Sequence, residues 1–213
     1  MINSNTFKIK TNNSNLFLRV TKGHFATSHS HINYYIDVTT QKTRLSEAKA
    51  VAEELVSHYN TSAIVDTVLC LDGTEVIGTC IADELTVGNY TNMNAHQTIY
   101  VMTPEHTTGS QLIFRDNIVP MIAGKHVLIL AASVTTGYTA QAAVEAINYY
   151  GGRVAGICSI FASVDKCAGY PVHSAFNTND LGDYASYPSH ECPMCKNGEK
   201  IDALVNGFGF SKI

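Results

Sequence analysis

The chain has 213 residues, 45% hydrophobic and 15% charged, with 14 Lys+Arg against 18 Asp+Glu for a formal net charge of -4. That balance excludes a fibrous or wholly disordered chain and gives no electrostatic footprint for duplex nucleic acid or an anionic membrane. The charged fraction is low beside the usual quarter or so, so any anionic ligand must be held locally. Length favours one domain with at most a small appendage. The polar start, Met1 to Lys10, lacks a signal-peptide core, and no apolar run approaches the roughly 20 residues that span a bilayer; the expected location is cytoplasmic. Six cysteines at 70, 80, 158, 167, 192 and 195 read as reduced residues rather than a disulfide framework.

Residues 1–45 contain short alternating patches, Phe7-Lys8-Ile9-Lys10 and Phe17-Leu18-Arg19-Val20, and read as strands and loops. Ala48, Val51, Ala52, Leu55 and Tyr59 recur at helical spacing, predicting a helix from about Ser46 to Tyr59 with Ser46 as its cap. The period then changes. Ala63 to Leu71 reads as a buried strand, Asp72-Gly73-Thr74 as a turn, and the residues through about Leu85 as a helix. The pattern recurs with a strand over His126 to Ala131, a turn over Ser133 to Thr139, a helix over Ala140 to Tyr150 and a strand over Arg153 to Phe161. Residues 177–200, rich in Asn, Asp, Tyr, Pro and Cys, read as irregular. Alternating strands and helices predict a parallel sheet with helices on both faces and its ligand crevice at the carboxyl ends of the strands. Both glycine-bearing turns fall at that edge.

The second turn carries the strongest chemical signal. Ser133, Thr135, Thr136, Gly137, Tyr138 and Thr139 offer hydroxyls, backbone N–H groups and a positive helix end to one anion, for which a phosphate is the natural guest. Helix capping uses the same residue types and is the competing account.

A strand leading to Thr135-Thr136-Gly137-Tyr138-Thr139 resembles the phosphoribosyl pyrophosphate motif of the type I phosphoribosyltransferases, and the likeness runs from about residue 15 to the C-terminus in matching order. It is strongest to the orotate phosphoribosyltransferases. Gly23 to Asp37 resembles their early loop, His106-Thr107-Thr108-Gly109 their mobile catalytic loop, and the pattern Cys192-Pro193-x-Cys195-Lys196-x-Gly198 a tail of some members. The resemblance implies an α/β type I phosphoribosyltransferase-like parallel sheet flanked by helices, with an N-terminal hood at 1–45, a core at 46–176 and a C-terminal segment with a final strand packed on the core at 177–213. It implies Ser133 and Thr135 to Thr139 at the 5-phosphate, Asp72, Gly73 and Thr74 at the pyrophosphate, His106 as the catalytic residue, and Phe25, Ser28 and Tyr35 around the base. The expected partners are phosphoribosyl pyrophosphate or a nucleoside monophosphate, magnesium and a second copy of the chain in a homodimer.

The departures from that family fall among the charges. The resemblance places an acidic pair, which holds the ribose hydroxyls beside magnesium, at Ala131 and Ala132; it places Arg and Lys in the strand that reads Ile99 to Glu105, and a Lys at Val38. Each lost stabilising contact of this kind costs about 10²–10³ in rate. Asp72 and Glu75 for metal, and Lys42, Arg115 and Lys125 for anions, are the candidate substitutes. Two functions follow: an orotate phosphoribosyltransferase-like transfer to a pyrimidine base, or a catalytically degenerate homologue that binds a nucleotide or sugar phosphate in a regulatory role. Cys192 and Cys195 have the spacing of a zinc half-site, which Cys167 and His173 could complete, but a packed loop without metal is the reading adopted. His24, His29 and His31 read as surface or pocket-lining imidazoles.

Overall fold

A computed structural model describes residues 6–10, 16–87, 92–95, 97–108 and 111–213. In chain order the elements are β1 (Thr6–Lys10), β2 (Phe17–Ala26), β3 (His31–Asp37), α1 (Thr39–Thr43), α2 (Leu45–Val56), β4 (Thr67–Cys70), α3 (Glu75–Thr86), β5 (Tyr100–Met102), β6 (Glu105–His106), β7 (Leu112–Ile113), β8 (His126–Val134), α4 (Tyr138–Tyr149), β9 (Arg153–Ala162), β10 (Lys166–Cys167), β11 (Tyr170–Asn177), β12 (Ser186–Tyr187), α5 (Pro193–Lys196), β13 (Ala203–Asn206) and β14 (Gly209–Lys212).

The expected parallel sheet is present. Its order is β10-β11-β9-β8-β4-β5, parallel throughout except for β10, which runs against β11. Strand alternation divides the core into two layers. Val68, Cys70, Leu128, Leu130 and Ala132 pack with α2 and α3. Leu69, Leu71, Val127, Ile129 and Ala131 pack with α4. Because β4 leads to β5 on one side while β8 leads to β9 on the other, the order reverses between β4 and β8, and a crevice opens at their carboxyl ends.

The second sheet is the hood, and it joins early and late strands of the chain. β12-β3-β2-β13-β14 lie side by side, with β1 paired to β2. The final strands therefore complete the hood through β13 beside β2, with Ala203 opposite Phe25, rather than packing on the parallel sheet as expected. The helix expected from Ser46 begins instead at Leu45, with extended Arg44 as its cap residue; Ser46 lies inside it and caps nothing. Tyr59 lies past its end, buried, where its hydroxyl donates to the Ile157 carbonyl at 2.9 Å. A short helix, α1, occupies part of the first 45 residues, where strands and loops were expected.

At the opposite, amino-terminal edge of the sheet, Asp66 accepts from both the backbone amide and the ring of His126, at 2.7 and 3.0 Å. Burial pushes the Asp66 carboxyl up, but these two hydrogen bonds and the nearby charges of His126 and Lys125 outweigh it and hold it below the ordinary 3.8. A depressed carboxyl contributes stability above its unfolded value and loses it as pH falls through the folded one. Asp66→Asn therefore flattens the decline in melting temperature below about pH 4, a difference read from thermal melts across an acid series; parallel acid limbs for the two proteins would contradict it.

Candidate functional site

The first glycine turn follows β4. Asp72 and Gly73 are both left-handed, at φ 57 and 77; Gly adopts that region freely, whereas Asp is one of the few other residues to tolerate it. The bend presents the Asp72 side chain to the crevice. Burial raises the Asp72 carboxyl, opposed by a hydrogen bond from the Ala132 backbone and by the charges of Lys42 and His106. Thr74 is fully buried, and its hydroxyl donates to the carbonyls of Leu71 and Leu130 at 2.8 and 3.2 Å. It pins the turn to β8; its hydroxyl is spent on these carbonyls and Thr74 does not line the cavity, so the side chain is not placed for the expected contact with a pyrophosphate.

The second turn follows β8. Gly137 is left-handed, at φ 80, and starts α4, whose first turn carries neither a side-chain cap nor an acidic residue. The threonine hydroxyls are therefore not spent on capping, and the amides at the start of this 12-residue helix face the crevice. The Cys167 thiol donates to the Gly137 carbonyl, and a Cβ at residue 137 would lie only 3.0 Å from its sulfur.

The two turns and the hood enclose one cavity of about 290 Å³. Ser133, Thr135, Thr136, Tyr138 and Thr139 form one wall, Asp72 and Ala132 the floor, and Ser28, His29 and Tyr35 the hood side. The His29 ring lies 5.1 Å from that of Tyr138, joining hood to cradle. Burial, with Asp37 nearby, pushes the Tyr35 hydroxyl up to about 12, so it stays a donor at neutral pH. Phe25 does not line this cavity. A bulge in β2 between Lys22 and Phe25 turns that ring into the hood's own core with Ile32, Ala203 and Val205.

The remaining expectations divide. Lys42 lies at the Asp72 turn: buried, its ammonium donates to the Asp72 carbonyl at 2.8 Å and to the Gly207 carbonyl, and rests 5.5 Å from the Phe208 ring centre. Arg115 is exposed and engaged by Glu105 at 2.6 Å, and Lys125 is at the far edge of the sheet beside Asp66. His106 sits exposed on the β6–β7 hairpin, outside the cavity lining; Gly109 lies outside the described residues. Sequence reasoning missed Tyr184 and the Asn206-Gly207-Phe208 turn, which complete the wall. Among the described residues the Tyr184 hydroxyl is buried without a partner and, pushed up to about 12 by burial, is available to donate.

Ala131 and Ala132 are buried, Ala131 within the α4-side core, and Asp72 is the single carboxylate among the described cavity-lining residues. That is no all-protein cage for a divalent cation; magnesium would be held chiefly by the phosphates of a ligand, with Asp72 as the one carboxylate at hand.

A hydroxyl-rich turn and an uncapped helix at the reversal point of a five-stranded parallel array, under a hood, define the type I phosphoribosyltransferase architecture. An orotate phosphoribosyltransferase of Aeropyrum pernix has this fold, with a TM-score of 0.55 and 16% identity over 76% of this chain and 90% of that one. That of Mycobacterium tuberculosis in complex with phosphoribosyl pyrophosphate has a TM-score of 0.50 and 18% identity over 70% and 83%. No protein-family model matches the sequence. The orotate phosphoribosyltransferase of Chlorobaculum parvum is 30% identical over 185 residues, 85% of this chain and 86% of its own length. The chain belongs to the orotate phosphoribosyltransferase family.

Proposed function

We propose that the chain transfers a phosphoribosyl group from phosphoribosyl pyrophosphate to a pyrimidine base in the cavity between hood and sheet. The observation that carries this reading is the single cavity shared by the hydroxyl cradle, the Asp72 turn and the hood residues Ser28 and Tyr35. In it the 5-phosphate rests on Thr135, Thr136, Thr139 and the amides at the start of α4, and the base lies against Tyr35 under the hood. A ring nitrogen attacks the anomeric carbon as the bond to pyrophosphate breaks, so positive charge develops on the ribose and negative charge on the leaving group. Asp72 faces the ribose side of that separation. Lys42 supplies a cation behind the pyrophosphate turn, although its direct hydrogen bonds go to backbone carbonyls. The reading includes a homodimer in which the hairpin bearing His106 closes over the partner's cavity, as the family resemblance implies; within one chain His106 lies outside the cavity lining, although its charge is felt by Asp72.

A second reading, a binding protein without turnover, is favoured by the buried Ala131 and Ala132 where the family resemblance places acids, and by Arg115 being held by Glu105. Pyrophosphate release from phosphoribosyl pyrophosphate with orotate and magnesium, followed from pH 6 to 9, is the deciding assay, with calorimetric titration of the same ligand beside it. Turnover above buffer supports transfer. Binding without turnover establishes the second reading, and neither binding nor turnover removes both.

A further inference from the structure

Away from the cavity, four side chains from two distant stretches of chain converge. His24 lies near the end of β2 and His31 begins β3, on either side of their connecting turn; Cys192 immediately precedes α5 and Cys195 lies within it. One ligand atom from each lies within 4.8 Å of all the others. His24 Nε2 is 3.1 Å from His31 Nδ1 and 3.6 Å from each sulfur, and Cys195 Sγ is 3.2 Å from His31 Nδ1.

These four separations, 3.1–3.6 Å, lie close to the edges of a coordination polyhedron, the two that involve His31 Nδ1 slightly short of it. Zinc bonds of about 2.3 Å to sulfur and 2.0–2.1 Å to nitrogen put tetrahedral neighbours roughly 3.3–3.8 Å apart. The outer contacts fit as well. His24 Nδ1 donates to the Glu199 carbonyl at 3.0 Å, which turns the Nε2 lone pair toward the cluster. The His24 backbone amide is held by Asp202 at 2.8 Å. All four cluster residues carry soft or borderline donors. With four protein ligands no position stays open, so the site is structural rather than catalytic. Cys167 and His173, the partners considered from spacing alone, are elsewhere: Cys167 at Gly137 and His173 stacked on His58.

We propose that His24, His31, Cys192 and Cys195 bind one structural zinc ion that clamps the C-terminal segment to the hood. The clamped segment runs on to Asn206, Gly207 and Phe208, so the ion fixes the origin of the stretch that walls the cavity. Metal analysis of the full-length protein, purified without a polyhistidine tag, is expected to find one zinc per chain. The Cys192→Ser/Cys195→Ser variant is expected to lose it, while Cys80→Ser, whose thiol lies outside the cluster, keeps it. Chelator treatment of the wild type is expected to lower its melting temperature, and zinc to restore it.

Because the double variant may fail to fold, cobalt added to the chelated wild-type protein provides a second readout, through thiolate-to-cobalt charge-transfer absorption and the visible bands of four-coordinate cobalt. Absence of both stoichiometric zinc and that cobalt spectrum overturns the site. So does a stoichiometric metal other than zinc, or a Cys192–Cys195 disulfide in the metal-free native protein.

Discussion

Thr136→Val combined with Thr139→Val lowers the affinity for phosphoribosyl pyrophosphate on the order of a hundredfold or more. A hydrogen bond to a charged group contributes about 1.5–3 kcal/mol, and each 1.4 kcal/mol is about tenfold in affinity. Both residues are exposed at the mouth of the cavity, and neither caps α4. The double variant therefore melts close to the wild type, so weakened binding cannot be ascribed to unfolding. Calorimetric titration reads the affinity directly, with nucleoside monophosphates as a second ligand class. Unchanged affinity for both would move the phosphate site out of the turn after β8.

Lys42→Met acts on stability as well as on the site. The ammonium bridges the Asp72 and Gly207 carbonyls, which belong to two adjoining turns, one from the parallel sheet and one from the hood. Burial lowers the Lys42 pKa, and the nearby charges of Asp72, Glu75 and Asp37 counter part of that cost. Methionine fills similar space but leaves two carbonyls without a donor, at about 1–3 kcal/mol for each buried group. A net loss of roughly 2–4 kcal/mol is expected once the relieved desolvation of the ammonium is set against it, a large share of a typical 5–15 kcal/mol. Urea denaturation measures this loss. A variant that unfolds at the wild-type midpoint would show that the bridge contributes little, and one that is less stable yet turns over normally would exclude Lys42 from the chemistry.

The parts of the molecule that the sequence disclosed are those whose cause is local. Val127 to Ala131 is a continuous apolar run because β8 is covered on both faces, and the helix α2 announces itself by the period of Ala48, Val51, Ala52 and Leu55. The cradle was legible for the same reason: Thr135 to Thr139 are neighbours in sequence as well as in space. Lys42 was only one candidate among several because nothing within its own helix says that Asp72, 30 residues on, lies against it. Tyr184 and Phe208 reach the cavity through the hood's strand pairing, which leaves no periodic mark. Phe25 was placed at the base by resemblance to the family's early loop; a bulge that shifts β2 by its extra residue, which no local pattern announces, accompanies that ring's packing among Ile32, Ala203 and Val205 instead. The four cluster ligands were seen as two unrelated groups because residues near 24 and residues near 195 share no local pattern.

The hood joins β2 to β13, and this sets an order of events in folding. His24 is bonded to Asp202 across a separation of 178 residues, so the pairing of β2 with β13 is a long-range contact with a high loop-closure cost. The parallel sheet, assembled from strands and helices that follow one another closely, can form earlier. The anion cradle can therefore form before its roof, and the pocket is walled on the hood side only once β13 has paired with β2.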